Sequence, residues 1–292
     1  MLLEIKNHFL TATIHLIGAE LKSLKDQDAE YIWNSNPTYW HHSAPILFPA
    51  IGRFLHDTTV IDGKPYSIPK HGFVKDMRFE ILNHQEDEIT LFLDANDETL
   101  AVYPYQFRFI IHYKLINKSL ITSMSVKNSD DHTIYFNIGG HPAFNCPIDP
   151  SESFTDYMIS FPKEEQFNSP KVMIDSGTID WNQTNKSFPP FYDLHLTYSD
   201  FKDDALIFNQ PKSAYVTLQN NTRTKGIEFH FDGFNTLGIW TPSNIESPFV
   251  CLEPWVGCAD SPDGSGVFVE KKDIIALKKN NTYHVNYTII IK

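Results

Sequence analysis

Four short passages of the chain set a side chain able to bind or transfer protons among turn residues and aromatics. In Pro248-Phe249-Val250-Cys251-Leu252-Glu253-Pro254-Trp255 a lone carboxylate interrupts an otherwise apolar strand. Such a group is costly to bury unless it is bonded or functional, and apolar surroundings make it a better proton acceptor. A Glu turned to the solvent face accounts for the same residue without chemistry. In Phe136-Asn137-Ile138-Gly139-Gly140-His141-Pro142-Ala143-Phe144-Asn145 two glycines precede a histidine, removing side-chain bulk so that something can approach the backbone closely. Gly52-Arg53 ends an apolar run from Pro45, and the Arg fork suits hydroxyls, carboxylates or phosphate, or else a surface ion pair. Lys70-His71-Gly72-Phe73 presents a ring at a loop or strand end, or holds a structural His bonded to a carbonyl. With 13 histidines in the chain, a His alone says little.

The elements that must position these groups alternate with period 2. Strand character marks residues 11–17, 88–93, 107–115, 120–126, 214–218, 226–231 and 283–291, all rich in Ile, Val, Thr, Tyr and Phe. Turn signals separate them, among them Asp62-Gly63, Asn117-Lys118, Asn220-Asn221 and Asp232-Gly233. No long stretch has a helical period, and short helical pieces fit only near Asp97–Val102 and Asp200–Asp204. Many short strands at regular spacing predict an all-β protein, an antiparallel sandwich or barrel. The segment from Pro147 to Pro190, with six prolines and many polar residues, reads as loose decoration. No composition shift marks a boundary and residues of both halves must meet at one site, so residues 1–292 read as a single domain.

Composition narrows the partners. The chain has 292 residues, 36 acidic and 24 basic, for a net charge of −12. That argues against nucleic acid and anionic membranes, which call for clustered Lys and Arg. It leaves room for a small basic pocket, and Lys64, Lys70, Lys75 and Arg78 form a local basic patch that could accept phosphate. Cys146, Cys251 and Cys258 are too few for a disulfide framework and read as buried or incidental thiols. His41-His42 with His56 or His71 is a poor metal cluster if adjacent residues point to opposite faces of a strand, and no HExxH, Gly-x-Ser-x-Gly or phosphate-loop pattern appears, so no metal and no cofactor is expected. The first residues carry charges where a leader needs an apolar stretch, and no run approaches a membrane span; the expected location is the cytoplasm.

Taken in order, the passages resemble the aldose 1-epimerase (galactose mutarotase) family, in its LacX-like branch. Gly52-Arg53, Asp62-Gly63-Lys64-x-Tyr66, His71-Gly72, Asn137-x-x-x-His141-x-x-Phe144-Asn145 and Leu252-Glu253 followed by Asp260-Ser261-Pro262-Asp263 carry the likeness across nearly the whole chain. Phe54-Leu55-His56 after Gly-Arg, and Gly140 before the histidine, depart from the commoner family pattern. The resemblance implies a large antiparallel β-sandwich of the mutarotase supersandwich type and a small-molecule sugar as partner. It implies interconversion of hexose anomers, with Glu253 as base and His141 as acid, although His71 competes with His141 for the acid proton. Arg53, His71 and Asp204 would hold hydroxyls, with Asp203 an alternative to Asp204. Trp33, Trp40, Trp240 and Trp255 could cover an apolar sugar face. Two other readings keep the fold: a hexose-6-phosphate mutarotase, and a sugar-binding or regulatory protein without turnover.

Overall fold

The computed structural model describes residues 1–292, with 22 β-strands and one short α-helix. Its largest sheet has nine antiparallel strands. They run in the order Thr178–His195, Tyr157–Met173, Tyr215–Asn220, Gly226–His230, Thr282–Ile291, Ser119–Asn128, Phe107–Ile116, Glu88–Asp94 and Glu80–His84. A second sheet orders Leu206–Asn209, Thr236–Trp240, Phe249–Val256, Ile138–Gly140 and Ile46–Leu47, and Ala143–Asn145 also pairs with Phe249–Val256. The expected all-β antiparallel sandwich is what forms.

Period-2 patterning decides which face of each strand goes inward. Phe107–Ile116 alternates buried and half-buried residues along nearly its whole length, as do Glu88–Asp94 and Ser119–Asn128. One face of these strands meets the core and the other meets water. An apolar core of 67 buried residues joins the inward faces of both sheets: Phe144 of the smaller sheet meets Phe229 of the larger, 5.7 Å between centroids. Phe249–Val256 differs because all eight residues are buried. Val250, Leu252 and Val256 enter the main core. Phe249, Cys251 and Trp255 project from the other face into smaller apolar clusters. Glu253 shares that second face, since side chains two apart along a strand lie together.

The sequence-predicted strands are found with ends shifted by a few residues. Asp97–Val102 is the helix, its first turn closed by a capping box between Asn96 and Thr99. The second helical piece is a 3-10 turn at Tyr198–Phe201, slightly earlier than expected. The Pro-rich segment is the main departure. It forms two long strands, Tyr157–Met173 and Thr178–His195, paired as a hairpin whose register slips around residues 160–171. Pro162 and Pro170 sit at those slips, and Pro189 and Pro190 lie on the sheet's edge strand, where a missing N–H costs no ladder bond.

Candidate active site

Ile138–Gly140 pairs with both Ile46–Leu47 and Phe249–Val256 and ends at His141. The His141 N–H donates to Pro45 O at 3.0 Å, and Leu252 N–H donates to Pro142 O at 3.1 Å, so the chain stays pinned beyond the strand. The glycines before His141 admit the protein itself rather than a ligand: a Cβ on Gly140 would stand 2.8 Å from a ring carbon of Tyr287. His141 is thereby laid beside Glu253, with Nε2 3.0 Å from Oε2. The two residues are 7 % and 2 % exposed. The Trp40 ring lies tilted by 31° against the imidazole at 4.8 Å, while Trp240 and His71 meet it edge-on at 5.6 Å each. Its Nδ1 has no protein partner.

These residues line a cavity of about 530 Å³, within the usual range for small-molecule sites. His71 reaches it from a turn in which His71 and Gly72 both have left-handed backbones, with φ of 65° and 75°. Gly72 is required there, because a Cβ would fall 1.9 Å from Phe48 O. His71 N–H donates to Gly52 O at 2.9 Å, and Gly52 N–H donates back to His71 Nδ1 at 3.1 Å. Accepting that bond places the neutral ring's proton on Nε2. Burial holds the His71 pKa well below 6.5, with the charges of Lys70, His141, Lys75 and His42 adding to the shift. His71 is therefore a neutral hydrogen-bond donor at pH 7.

Asp204 lies on the cavity wall and Asp203 does not. One Asp204 oxygen accepts from Ala205 N–H at 2.7 Å, which leaves the other for a ligand. Leu47, Ile51, Val172, Ile179, Ala205 and Ile207 supply apolar surface beside Trp40, Trp240 and Trp255. Trp33 instead stacks under the site on Phe249 at 4.8 Å.

Arg53 does not line the cavity. Its guanidinium faces Asp57 at 3.5 Å, and its aliphatic stem fills the place where a Cβ on Gly177 would sit. Gly177, Val172 and Ile179 belong to the end of the Pro-rich hairpin, which closes one side of the cavity. Nothing in that polar, proline-rich stretch signalled a site wall. Lys70, Lys75, His41 and His42 also line the cavity, whereas Lys64 and Arg78 of the sequence patch do not. His41 and His42 lie in an irregular segment rather than a strand, and their rings approach to 4.3 Å.

One buried group of side chains has a metal-type donor set. Ligand atoms of His141, Cys251 and Glu253 lie within 4.8 Å of one another. Imidazole, thiol and carboxylate together suit a borderline cation such as zinc. The Cys251 thiol is a reluctant ligand, because burial, reinforced by Glu253, pushes its pKa well above 9. All three cysteines are free and buried.

The sequence model of the family described as aldose 1-epimerase matches residues 1–261. The chain belongs to the aldose 1-epimerase family. Among curated relatives, the chromosomal protein LacX of Lactococcus lactis subsp. lactis is 35% identical over 298 residues, covering 100% of this chain and 99% of that one. Among solved structures, a galactose mutarotase related enzyme from Lactobacillus acidophilus superposes with a TM-score of 0.94 at 32% identity, covering 100% and 97% of the two chains. A galactose mutarotase-like protein from Lactobacillus casei gives 0.92 at 25% identity, with both chains fully covered. The aldose 1-epimerase fold thus extends over all 292 residues, and the expected mutarotase supersandwich is the fold observed. No helix of this aldose 1-epimerase family member is long and apolar enough to cross a membrane.

Proposed function

We propose that the protein is a cofactor-independent mutarotase, interconverting the α and β anomers of a hexose in the cavity that holds His141 and Glu253, with residues 1–292 acting as one domain. The contact between those two side chains carries the reading. Mutarotation moves protons at two oxygens bonded to the same carbon, the anomeric hydroxyl and the ring oxygen. An acid and a base 3.0 Å apart match that demand. A glycosidase instead sets two carboxyl groups about 5–9.5 Å apart across a scissile bond.

The reaction begins with a proton on the imidazole and none on the carboxylate. Glu253 takes the proton of the anomeric hydroxyl as the bond from the anomeric carbon to the ring oxygen breaks, and His141 gives its proton to that oxygen. The open-chain aldehyde turns about its first carbon–carbon bond. The hydroxyl then attacks the other face, returning its proton to His141, while Glu253 reprotonates the new anomeric oxygen. Both groups end as they began.

His71, being neutral, suits positioning rather than acid catalysis, and its Nε2–H donates to a sugar hydroxyl. Asp204 accepts from another hydroxyl through its free oxygen. Trp40, Trp240 and Trp255 supply surface for the apolar sugar face. Arg53 acts on substrate through the hairpin it supports, since its guanidinium turns to Asp57. Polarimetry on freshly dissolved α-glucose and α-galactose tests the reading. Decay toward equilibrium faster than in buffer is expected, and buffer rates for every hexose tried would refute it.

A further inference from the structure

Leu2–Lys6, Thr11–His15 and Leu21–Lys25 form a three-stranded sheet of their own, and none of their residues lines the cavity. The turn between the last two strands is nevertheless built at a cost. Gly18 and Ala19 both have left-handed backbones, with φ of 69° and 47°, and alanine rarely adopts that conformation. Such strain persists only where the surroundings hold it in place. Here Gly18 N–H donates to Met77 O at 2.7 Å, and a Cβ on Gly18 would stand 2.4 Å from Lys75 O. Ala19 O accepts from the buried Tyr113 hydroxyl at 2.8 Å. The turn is thus pressed against the segment that follows His71.

It delivers Glu20, a buried carboxylate that no step of ring opening uses. Oε1 of Glu20 accepts from Ser43 N–H at 2.6 Å and from Ala44 N–H at 3.1 Å. Lys22 Nζ lies 3.3 Å from Oε2, and His42 Nδ1 lies 3.7 Å from Oε1. Burial opposes the charge, but His42, Lys22 and the two N–H groups outweigh it and hold the carboxyl at about 2. The same stretch of chain grips the proposed acid from its other side. Ser43 O accepts from Ala143 N–H at 2.8 Å, and Pro45 O accepts from His141 N–H at 3.0 Å. Just upstream, Trp40 lies against the His141 ring.

We propose that Glu20 is a positioning residue: by holding residues 43–45 it fixes His141 beside Glu253 and Trp40 against the imidazole. The role presupposes the mutarotase reading, since it is the reaction of His141 that Glu20 serves. A displacement of about 1 Å in a reacting group can cost about 10²-fold in rate, so a clamp on the His141 backbone acts on turnover and not only on stability.

The experiment measures kcat and KM for mutarotation of α-glucose and α-galactose in Glu20→Ala, Glu20→Gln and Glu165→Ala, well below each melting temperature. Glu165 is a matched control: it is also buried and accepts from Ser213 N–H at 2.8 Å and Lys212 N–H at 3.3 Å, and none of the three lines the cavity. Glu20→Ala is expected to lower kcat by about 10- to 100-fold. Glu20→Gln keeps an oxygen where the two N–H groups point and is expected to recover most of the rate. Glu165→Ala is expected to lower the melting temperature and leave kcat unchanged. Should Glu20→Ala fail to fold, Glu20→Asp takes its place with the same expectation, because it keeps the charge beside Lys22 but falls one methylene short of the N–H groups. Unchanged kcat in Glu20→Ala, a Glu20→Gln as slow as Glu20→Ala, or an equal loss in Glu165→Ala would overturn the role. Turnover of no sugar by the unmodified protein would overturn the mutarotase reading instead. The clamp is then judged by amide hydrogen exchange. Exchange at Ser43, Ala44, His141 and Ala143 that is about fivefold or more faster in Glu20→Ala, and restored in Glu20→Gln, supports it, and unchanged exchange refutes it.

Discussion

Among single side chains, the pairing of His141 with Glu253 sets the firmest expectations. Glu253→Gln keeps the shape and removes the proposed base, so kcat should fall by about 10²- to 10⁴-fold with the circular dichroism spectrum unchanged. His141→Asn should cost a similar factor. The double variant should lose little more than either single one, because the two groups act as a unit. His71 predicts a different readout. Its folded pKa lies below the unfolded value of 6.5, so the unfolded chain binds the proton more readily. Stability should therefore decline as pH falls below about 6.5 and hold steady above it. His71→Asn tolerates the left-handed backbone and can still accept from Gly52 N–H, and it should flatten that decline in thermal melts at pH 5–7. His15 and His41, also lowered by burial, keep part of the slope. Glu253, His141 and His71 were legible as sequence anomalies, each a polar group among apolar or turn residues, whereas Asp204 came only from the family resemblance, with Asp203 as its alternative. Arg53 was equally legible as a motif, but a motif does not say where a long side chain points, and this one turns to Asp57.

Elements show where local reading ends. The strand Phe249–Val256 was recognisable from its apolar run, yet only the second sheet layer explains why a carboxylate on it is buried. The hairpin of Tyr157–Met173 and Thr178–His195 was not recognisable at all. Its prolines are tolerated through slipped register and an edge position, both of which depend on neighbouring strands rather than on the segment itself. The turn at His71-Gly72 makes the sharpest structural prediction at this scale. Gly72→Ala adds a Cβ against Phe48 O on a backbone of φ 75°. It should cost at least about 1–3 kcal/mol in denaturant unfolding and raise KM, since His71 rides on the same turn.

Across the whole molecule, loops distant in sequence are tied together behind the cavity. Lys271 Nζ meets Asp260 Oδ1 at 2.5 Å in a nearly solvent-free setting, and its ammonium sits 4.5 Å over the Phe54 ring. Asp260 also accepts from Leu55 N–H through Oδ2 and from Ile179 N–H through its carbonyl, so one residue fastens the Arg53 loop to the hairpin. Lys271→Met leaves that carboxylate buried and unpaired, and should destabilise the fold by about 3–5 kcal/mol by thermal or chemical unfolding. Long-range ties of this kind leave no mark in composition, whereas alternation, turn residues and the order of short motifs do. The central claim is that His141 and Glu253 act together on the anomeric centre. The most direct test is the polarimetric mutarotation rate of α-glucose and α-galactose, and of hexose phosphates by NMR, with the unmodified protein and with Glu253→Gln at equal concentration. The account predicts acceleration over buffer that Glu253→Gln abolishes; equal rates for the two proteins would contradict it.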